Sequence, residues 1–278
     1  MRLGGPLFGD QADPDEWMAL ARRHGYTAVY CPVDSSAGPE TIREYRNAAA
    51  TNGVLIAEVG AWSNPISPDE AIRKTALDQC VRQLTLAEEI GARCCVNIAG
   101  SRGAQWDGPH PDNLSLDTFD LIVETTRAII DAVKPARTFY TLETMPWVFP
   151  DSPTSYLALI HAIDRKQFAA HLDPVNLVSS PQLFYENGAL LRECFEKLGP
   201  FIKSCHAKDV ILRGQLTVRL DEVVPGQGGL DYGVYLHALS HLDPDTPVML
   251  EHLSTPEEYN QAAEFIRATA GKEGLPLR

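Results

Sequence analysis

Phe139-Tyr140-Thr141-Leu142-Glu143 is a short apolar run of strand character that ends on a carboxylate. The same form returns three times downstream, in residues 168–173, 201–206 and 248–251, which close on Asp173, His206 and Glu251. Each closing residue is a type that ligates divalent metals. The spacings are 30, 33 and 45 residues (143 to 173, 173 to 206, 206 to 251). The first two gaps each hold one helix-length segment, and the third holds a helix-length segment plus a long loop. This is the rhythm of a barrel of alternating strands and helices, whose chemistry gathers at the carboxyl ends of its strands.

The pattern extends to both ends of the chain. Apolar runs at 2–8, 27–31, 54–59, 92–98, 138–143, 168–173, 202–206 and 248–251 predict eight strands. Amphipathic segments at 13–24, 40–51, 68–90, 117–133, 155–163, 182–198, 231–240 and 257–270 predict eight helices. The expected fold is therefore α/β, a single (β/α)8 barrel over residues 1–278, with no linker between units. Ser67-Pro68-Asp69-Glu70 has the form of a capping box, with Ser67 at the cap. Two segments exceed what a barrel needs: 100–115, with Trp106 and His110, and 208–229, which ends Pro225-Gly226-Gln227-Gly228-Gly229. Both follow strands, so they belong to the expected active face as lids or binding loops.

Bulk properties narrow the function. With 278 residues and 44% hydrophobic content the chain can build one large core. A net charge of −13 argues against a binder of nucleic-acid backbones, which needs a basic footprint. The six cysteines form no C-x-x-C pair and lie mostly in apolar runs, which predicts buried free thiols in a reducing compartment. Met1-Arg2-Leu3-Gly4-Gly5 lacks the apolar stretch of a signal peptide, and no apolar run spans a membrane. The expectation is a cytoplasmic protein without membrane or nucleic-acid partners.

A charged residue that closes one strand usually marks only the point where the chain meets water. One on each of four consecutive strands is a constellation. Glu143, Asp173, His206 and Glu251 predict a site for one divalent ion, Mn²⁺ first, with Mg²⁺, Co²⁺ and Zn²⁺ as alternatives. An ion that binds a carbonyl and its neighbouring hydroxyl acidifies the C–H between them and stabilises the enediolate. Glu143 and Glu251 on opposite sides of that carbon would remove and return the proton. Loss of a neighbouring oxygen instead would make the same site a lyase.

Other residues are weaker candidates. His171 shares a face with Asp173 and either supports it or packs in the core. Lys208 and Asp209 bind substrate or lock their loop, the lock being favoured for Asp209. Glu58 and Asn97 end strands and could reach a hydroxyl. Trp62, Trp106, Trp147 and Phe149 lie on active-face loops, where rings either stack on a sugar or pack under a lid. His252 should point away from the site, because it alternates with Glu251. His110 reads as a loop residue without a catalytic part, and Arg213 and Arg219 as solvated surface.

From Tyr140 to Glu251 the chain resembles the xylose-isomerase-like TIM barrels, which include sugar epimerases, isomerases and inosose dehydratases. His206-Ala207-Lys208-Asp209 is similar to the family's histidine-x-lysine-aspartate turn after strand seven. Pro225 to Tyr232 is similar to its proline-glycine-x-glycine segment. The resemblance implies that Glu143, Asp173, His206 and Glu251 are the metal ligands and that the two glutamates are the acid/base pair. It implies a carbohydrate or polyol substrate and a homo-oligomer, and leaves room for a partner subunit. The expected activity is a metal-dependent sugar isomerase or epimerase. The alternatives are a lyase on a keto-sugar, of inosose-dehydratase or 3-keto-glycoside-cleaving type, and, further off, an endonuclease IV-like phosphodiesterase. One departure stands out: many relatives carry histidine three residues beyond the strand-six aspartate, where this chain has Asn176. Asparagine can bond a hydroxyl but cannot carry a proton at neutral pH.

Overall fold

The computed structural model describes residues 1–278. Eight strands close into a parallel barrel: β1 (Arg2–Gly5), β2 (Ala28–Tyr30), β3 (Leu55–Gly60), β4 (Cys94–Asn97), β5 (Phe139–Glu143), β6 (Phe168–Leu172), β7 (Ile202–Ala207) and β10 (Pro247–Leu250). Each pairs with its neighbours in chain order, and β10 closes on β1 with Leu3 opposite Val248. The helices between them are α1 (Pro14–His24), α2 (Pro39–Thr51), α3 (Glu70–Ile90), α4 (Leu116–Val133), α5 (Pro153–Ile163), α6 (Pro181–Tyr185), α7 (Asn187–Leu198), α8 (Tyr232–Ser240) and α9 (Pro256–Lys272). Proline begins α1, α2, α5, α6 and α9, where its missing N–H removes a donor that would have no partner.

The main core lies between the sheet and the helix ring, where Trp17, Tyr140, Tyr156 and Tyr235 are fully buried. A smaller one, of Ala28, Ala57 and Met249, fills the barrel interior below the site. Five cysteines are buried and Cys31 is half-buried, and all six are free thiols. No helix is long and apolar enough to cross a membrane.

Four local expectations need correction. The first strand ends at Gly5, just before Pro6, which has no N–H to give a ladder. The cap of α3 is Asp69, whose carboxylate accepts the Ala71 and Ile72 N–H groups, while Ser67 Oγ accepts only the Asp69 N–H. The predicted sixth helix breaks in two at Glu186, since the Asn187 side chain leaves the helix pattern to bond Phe184 O, Gly229 O and Asp231 N. The segment after β7 is not a plain loop. It carries an antiparallel hairpin, β8 (Asp209–Arg213) and β9 (Arg219–Val223), outside the barrel. Arg213 and Arg219 both pair with Asp221 on it.

Candidate metal centre

The carboxyl ends of β5, β6, β7 and β10 bring Glu143, Asp173, His206 and Glu251 together, with one ligand atom from each lying within 4.8 Å of all the others. The reason is register: Glu143 lies opposite His171 on β6, and His206 opposite Met249 on β10. Asp173 and Glu251 each follow the last residue of their strand, so all four reach one level of the barrel.

Each side chain is held on one side and left open on the other. Asp173 Oδ1 accepts the Val175 and Asn176 N–H groups at 3.0 and 3.3 Å, and Thr144 Oγ1 both accepts the Asp173 N–H and donates to its carbonyl. Asp173 Oδ2 and Glu251 Oε1 are buried without a hydrogen bond, although Lys208 Nζ stands 2.7 and 2.5 Å from them, out of hydrogen-bond alignment. His206 turns Nδ1 toward the carboxylates, 2.7 Å from Glu251 Oε1 and 3.3 Å from Glu143 Oε1. Its Nε2 points away, 3.3 Å from Glu58 Oε2.

Glu58 is the residue whose place the sequence did not disclose. It is 1% exposed and serves no hydroxyl of a substrate. The β2–β3 register skips a residue on β3, with Val29 opposite Ile56 and Tyr30 opposite Glu58. At such a bulge the side-chain alternation is lost, and Glu58 reaches under the cluster. There it accepts from His171 Nε2 at 3.0 Å and from Ser204 Oγ, besides its contact with His206. His171 therefore supports the site from beneath and has no open face toward it. A carboxylate on the far nitrogen of a histidine fixes ring and tautomer, and leaves the near nitrogen as a ligand.

The charges fit a dication. Three buried carboxylates (Glu58, Glu143 and Asp173) and the half-buried Glu251 share this space with one lysine. Burial pushes His206 down, but Glu251, Glu58 and Glu143 outweigh it and hold the imidazole well above the ordinary histidine range. Burial, helped by Glu251, pushes the Glu143 carboxyl up. Burial acts the same way on Asp173, yet Lys208 and His206 hold it below the usual carboxylate range. The donor set of three carboxylates and one imidazole, with two oxygens that lack a hydrogen bond, suits one hard or borderline divalent ion.

A family model described as "Xylose isomerase-like TIM barrel" matches residues 18–269. The chain belongs to that family. No curated protein matches its sequence. Among solved structures it is similar to a 3-keto-D-glucoside 4-epimerase from E. coli (15% identity, 96% of this chain and 99% of that one, TM-score 0.69). It is similar to a xylose isomerase-like TIM barrel protein from Mycobacterium smegmatis in complex with magnesium (17%, 97% and 95%, TM-score 0.68). It is also similar to the probable 3-DHS dehydratase from Bacillus anthracis (17%, 91% and 92%, TM-score 0.68). At such identities the likeness shows the fold.

In this xylose isomerase-like barrel a cavity of about 560 Å³ opens above the cluster. Glu143, Glu251, Asn176 and Lys208 line it, with Trp62, Trp106 and Trp147 toward its rim. Asn176 Nδ2 donates to Glu143 Oε1 and to Thr144 O, both at 3.1 Å. Asp209 lies elsewhere: its carboxylate accepts the N–H groups of Val210, Gly226, Gly228 and Leu230, so it locks the Pro225–Leu230 turn and is removed from the substrate contacts. Gly228 approaches Asp209 so closely that a side chain there would overlap the carboxylate. Asn97 likewise is internal, bonded to Ser63 N and O and to Cys80 Sγ. Phe149 packs edge-on against Phe119, and His110 caps a short 3-10 turn. His252 reverses its expectation. Because β10 has ended, its backbone takes φ 57° and its ring stands at the cavity, 3.1 Å from Glu222. Tyr30 and Glu222 also line the cavity, and no motif marked them.

Proposed function

We propose that the chain is an enzyme that uses one divalent ion, Mn²⁺ first, to move a proton on a sugar carbon next to a carbonyl, as an isomerase or epimerase. The observation that carries this is the meeting of Glu143, Asp173, His206 and Glu251 within 4.8 Å beneath an open cavity. An ion held by these four would polarise a carbonyl and its neighbouring hydroxyl, and so acidify the C–H between them.

Only two of the four ligands line the cavity, Glu143 and Glu251; Asp173 and His206 are fully buried beneath it. The pair that faces substrate is thus the pair that can exchange protons with it. One carboxylate takes the proton from carbon, and the C–H electrons pass onto the carbonyl oxygen. The other returns a proton to the opposite face of the same carbon, which inverts it, or to the carbonyl carbon while the hydroxyl proton of the first carbon passes to the former carbonyl oxygen, which moves the carbonyl. Asn176 holds Glu143 in place through its amide and carries no proton itself. Lys208 brings positive charge to the carboxylates.

Asn176 also favours a second reading, a lyase. With no histidine at that position to complete a proton relay, the electrons of the deprotonated carbon could instead expel the oxygen on the next carbon, which leaves as water or an alcohol once protonated. Among similar folds, a magnesium complex, a 3-keto-D-glucoside 4-epimerase and a probable dehydratase support a reading that keeps a metal site and leaves both outcomes in play. We read residues 1–278 as one domain and the assembly as a homo-oligomer.

Solvent-deuterium exchange into a panel of ketoses, inososes and 3-keto-glycosides tests the proposal. The parent takes deuterium into the carbon next to the carbonyl of at least one, and Glu251→Gln lowers that rate by about 10²–10⁴-fold. Exchange without net loss marks the isomerase or epimerase; release of water or an alcohol marks the lyase. No exchange across the panel refutes the proton-transfer reading.

A further inference from the structure

The substrate class of this site can be narrowed further, on the basis of the proton-transfer reading above. Three of the four tryptophans, Trp62, Trp106 and Trp147, stand at the cavity and are 42%, 39% and 38% exposed, whereas Trp17 is buried in the core. They come from the segments after β3, β4 and β5, three adjacent strands, so they form one arc on one side of the mouth.

The arc is built rather than loose. Trp147 Nε1 donates to Asp107 O at 2.7 Å, which ties the segment after β5 to the one after β4. The indole of Trp62 lies against Gly60 so closely that any Cβ at that position would collide with it. The segment that carries Trp106 is pinned through buried Asn113, which accepts the Arg102 N–H at 2.8 Å, and through Asn64, which donates to Ser101 O at 2.8 Å. The tied Trp147 ring and the pinned segment that carries Trp106 lower the entropic cost of ordering this side of the mouth on binding.

A second cavity of about 490 Å³ adjoins the first, with Trp62 and Trp106 as shared walls. Ile72, Thr75 and Gln79 are on its far side. It has no lysine or arginine, and the only cation lining the first cavity other than His252 is Lys208, already placed among carboxylates. Nothing along the arc would hold a phosphate or carboxylate group. The first cavity alone is of the size that encloses drug-sized ligands. A free monosaccharide on the carboxylate floor would leave the arc and the adjoining cavity in water.

We propose that the substrate is a glycoside with an uncharged planar aromatic group: the oxidised sugar ring lies on Glu143 and Glu251, and the aromatic aglycone against Trp62, Trp106 and Trp147. Aromatic faces meet in offset or edge-on geometry and add affinity beyond the area they cover.

The test compares phenyl and methyl 3-keto-glucosides as probes of the metal-loaded enzyme. They present the same keto-sugar and differ only in the aglycone. Deuterium exchange or turnover is expected to favour the phenyl probe by about tenfold or more in kcat/KM. Trp106→Ala and Trp62→Ala are each expected to bring the phenyl-to-methyl ratio toward one. Equal handling of the two probes by the parent, or a ratio retained in both variants, overturns the aglycone site and leaves proton transfer standing. If neither probe exchanges, equilibrium dialysis of the same two decides the aglycone site: tighter binding of the phenyl probe keeps it and equal binding removes it, while the wider panel decides proton transfer.

Discussion

At the residue scale the site depends on how His206 is held. Its Nδ1 faces three carboxylates, and its Nε2 faces Glu58, which is itself fixed by His171 and Ser204. Glu58→Gln keeps the size of that side chain but weakens its claim on the imidazole N–H. Metal affinity is then expected to fall about 10–100-fold in competition with a chelator indicator, while secondary structure by circular dichroism is unchanged. An unaltered affinity would reduce Glu58 to a packing residue. Metal binding should also weaken as the pH falls. His206 must lose its proton to ligate, and the carboxylates around it hold that proton at higher pH than an ordinary histidine would. A titration between pH 8 and 6 should therefore show tighter binding at the alkaline end. The convergence of Glu143, Asp173, His206 and Glu251 was legible from residue types closing strands. Glu58 was not, because its inward turn depends on a skipped residue in the β2–β3 register that no local pattern records.

At the element scale, two carboxylates staple connections. Asp209 gathers four backbone N–H groups, three of them from the turn before α8 and the fourth from its neighbour Val210. Asp209→Ala leaves those donors without an acceptor and is expected to cost about 2–4 kcal/mol, read as a lowered Tm. Glu88, at the end of α3, accepts the Ala136, Arg137 and Thr138 N–H groups and pairs with the Arg137 guanidinium. Burial pushes its carboxyl up, but these donors outweigh it and hold it below the usual range. A folded pKa below the unfolded one adds stability that is complete above about pH 4.3 and is lost as pH falls through the folded value. Glu88→Gln should accordingly flatten the loss of stability between pH 5 and 3 in urea denaturation. Strand and helix order could be read because period and punctuation agree along the chain. The β8–β9 hairpin is not legible in the sequence because its strands pair with each other outside the barrel and so follow none of its strand–helix rhythm. The break at Glu186 was missed because it is made by Asn187 reaching a loop 42 residues away.

At the scale of the whole molecule the barrel is a frame that brings side chains 30 to 45 residues apart in sequence into one cluster. Ligand rhythm, the His206-to-Asp209 turn and the Pro225-to-Gly229 segment made that legible. The cavity and its tryptophan arc needed coordinates, since Trp62, Trp106 and Trp147 share no spacing that predicts a common rim. Because three buried carboxylates and the half-buried Glu251 stand together here, metal should stabilise the fold. At a hundredfold excess over Kd the gain is about 2.7 kcal/mol, visible as a Tm that rises with added ion and falls with chelator.

These four strand ends are expected to hold one ion. Calorimetric titration of Mn²⁺ into chelator-stripped protein tests it most directly, with Asp173→Asn alongside. One site per chain is expected in the parent, and loss of that site in the variant. No binding in the parent, or binding that Asp173→Asn leaves untouched, would contradict it.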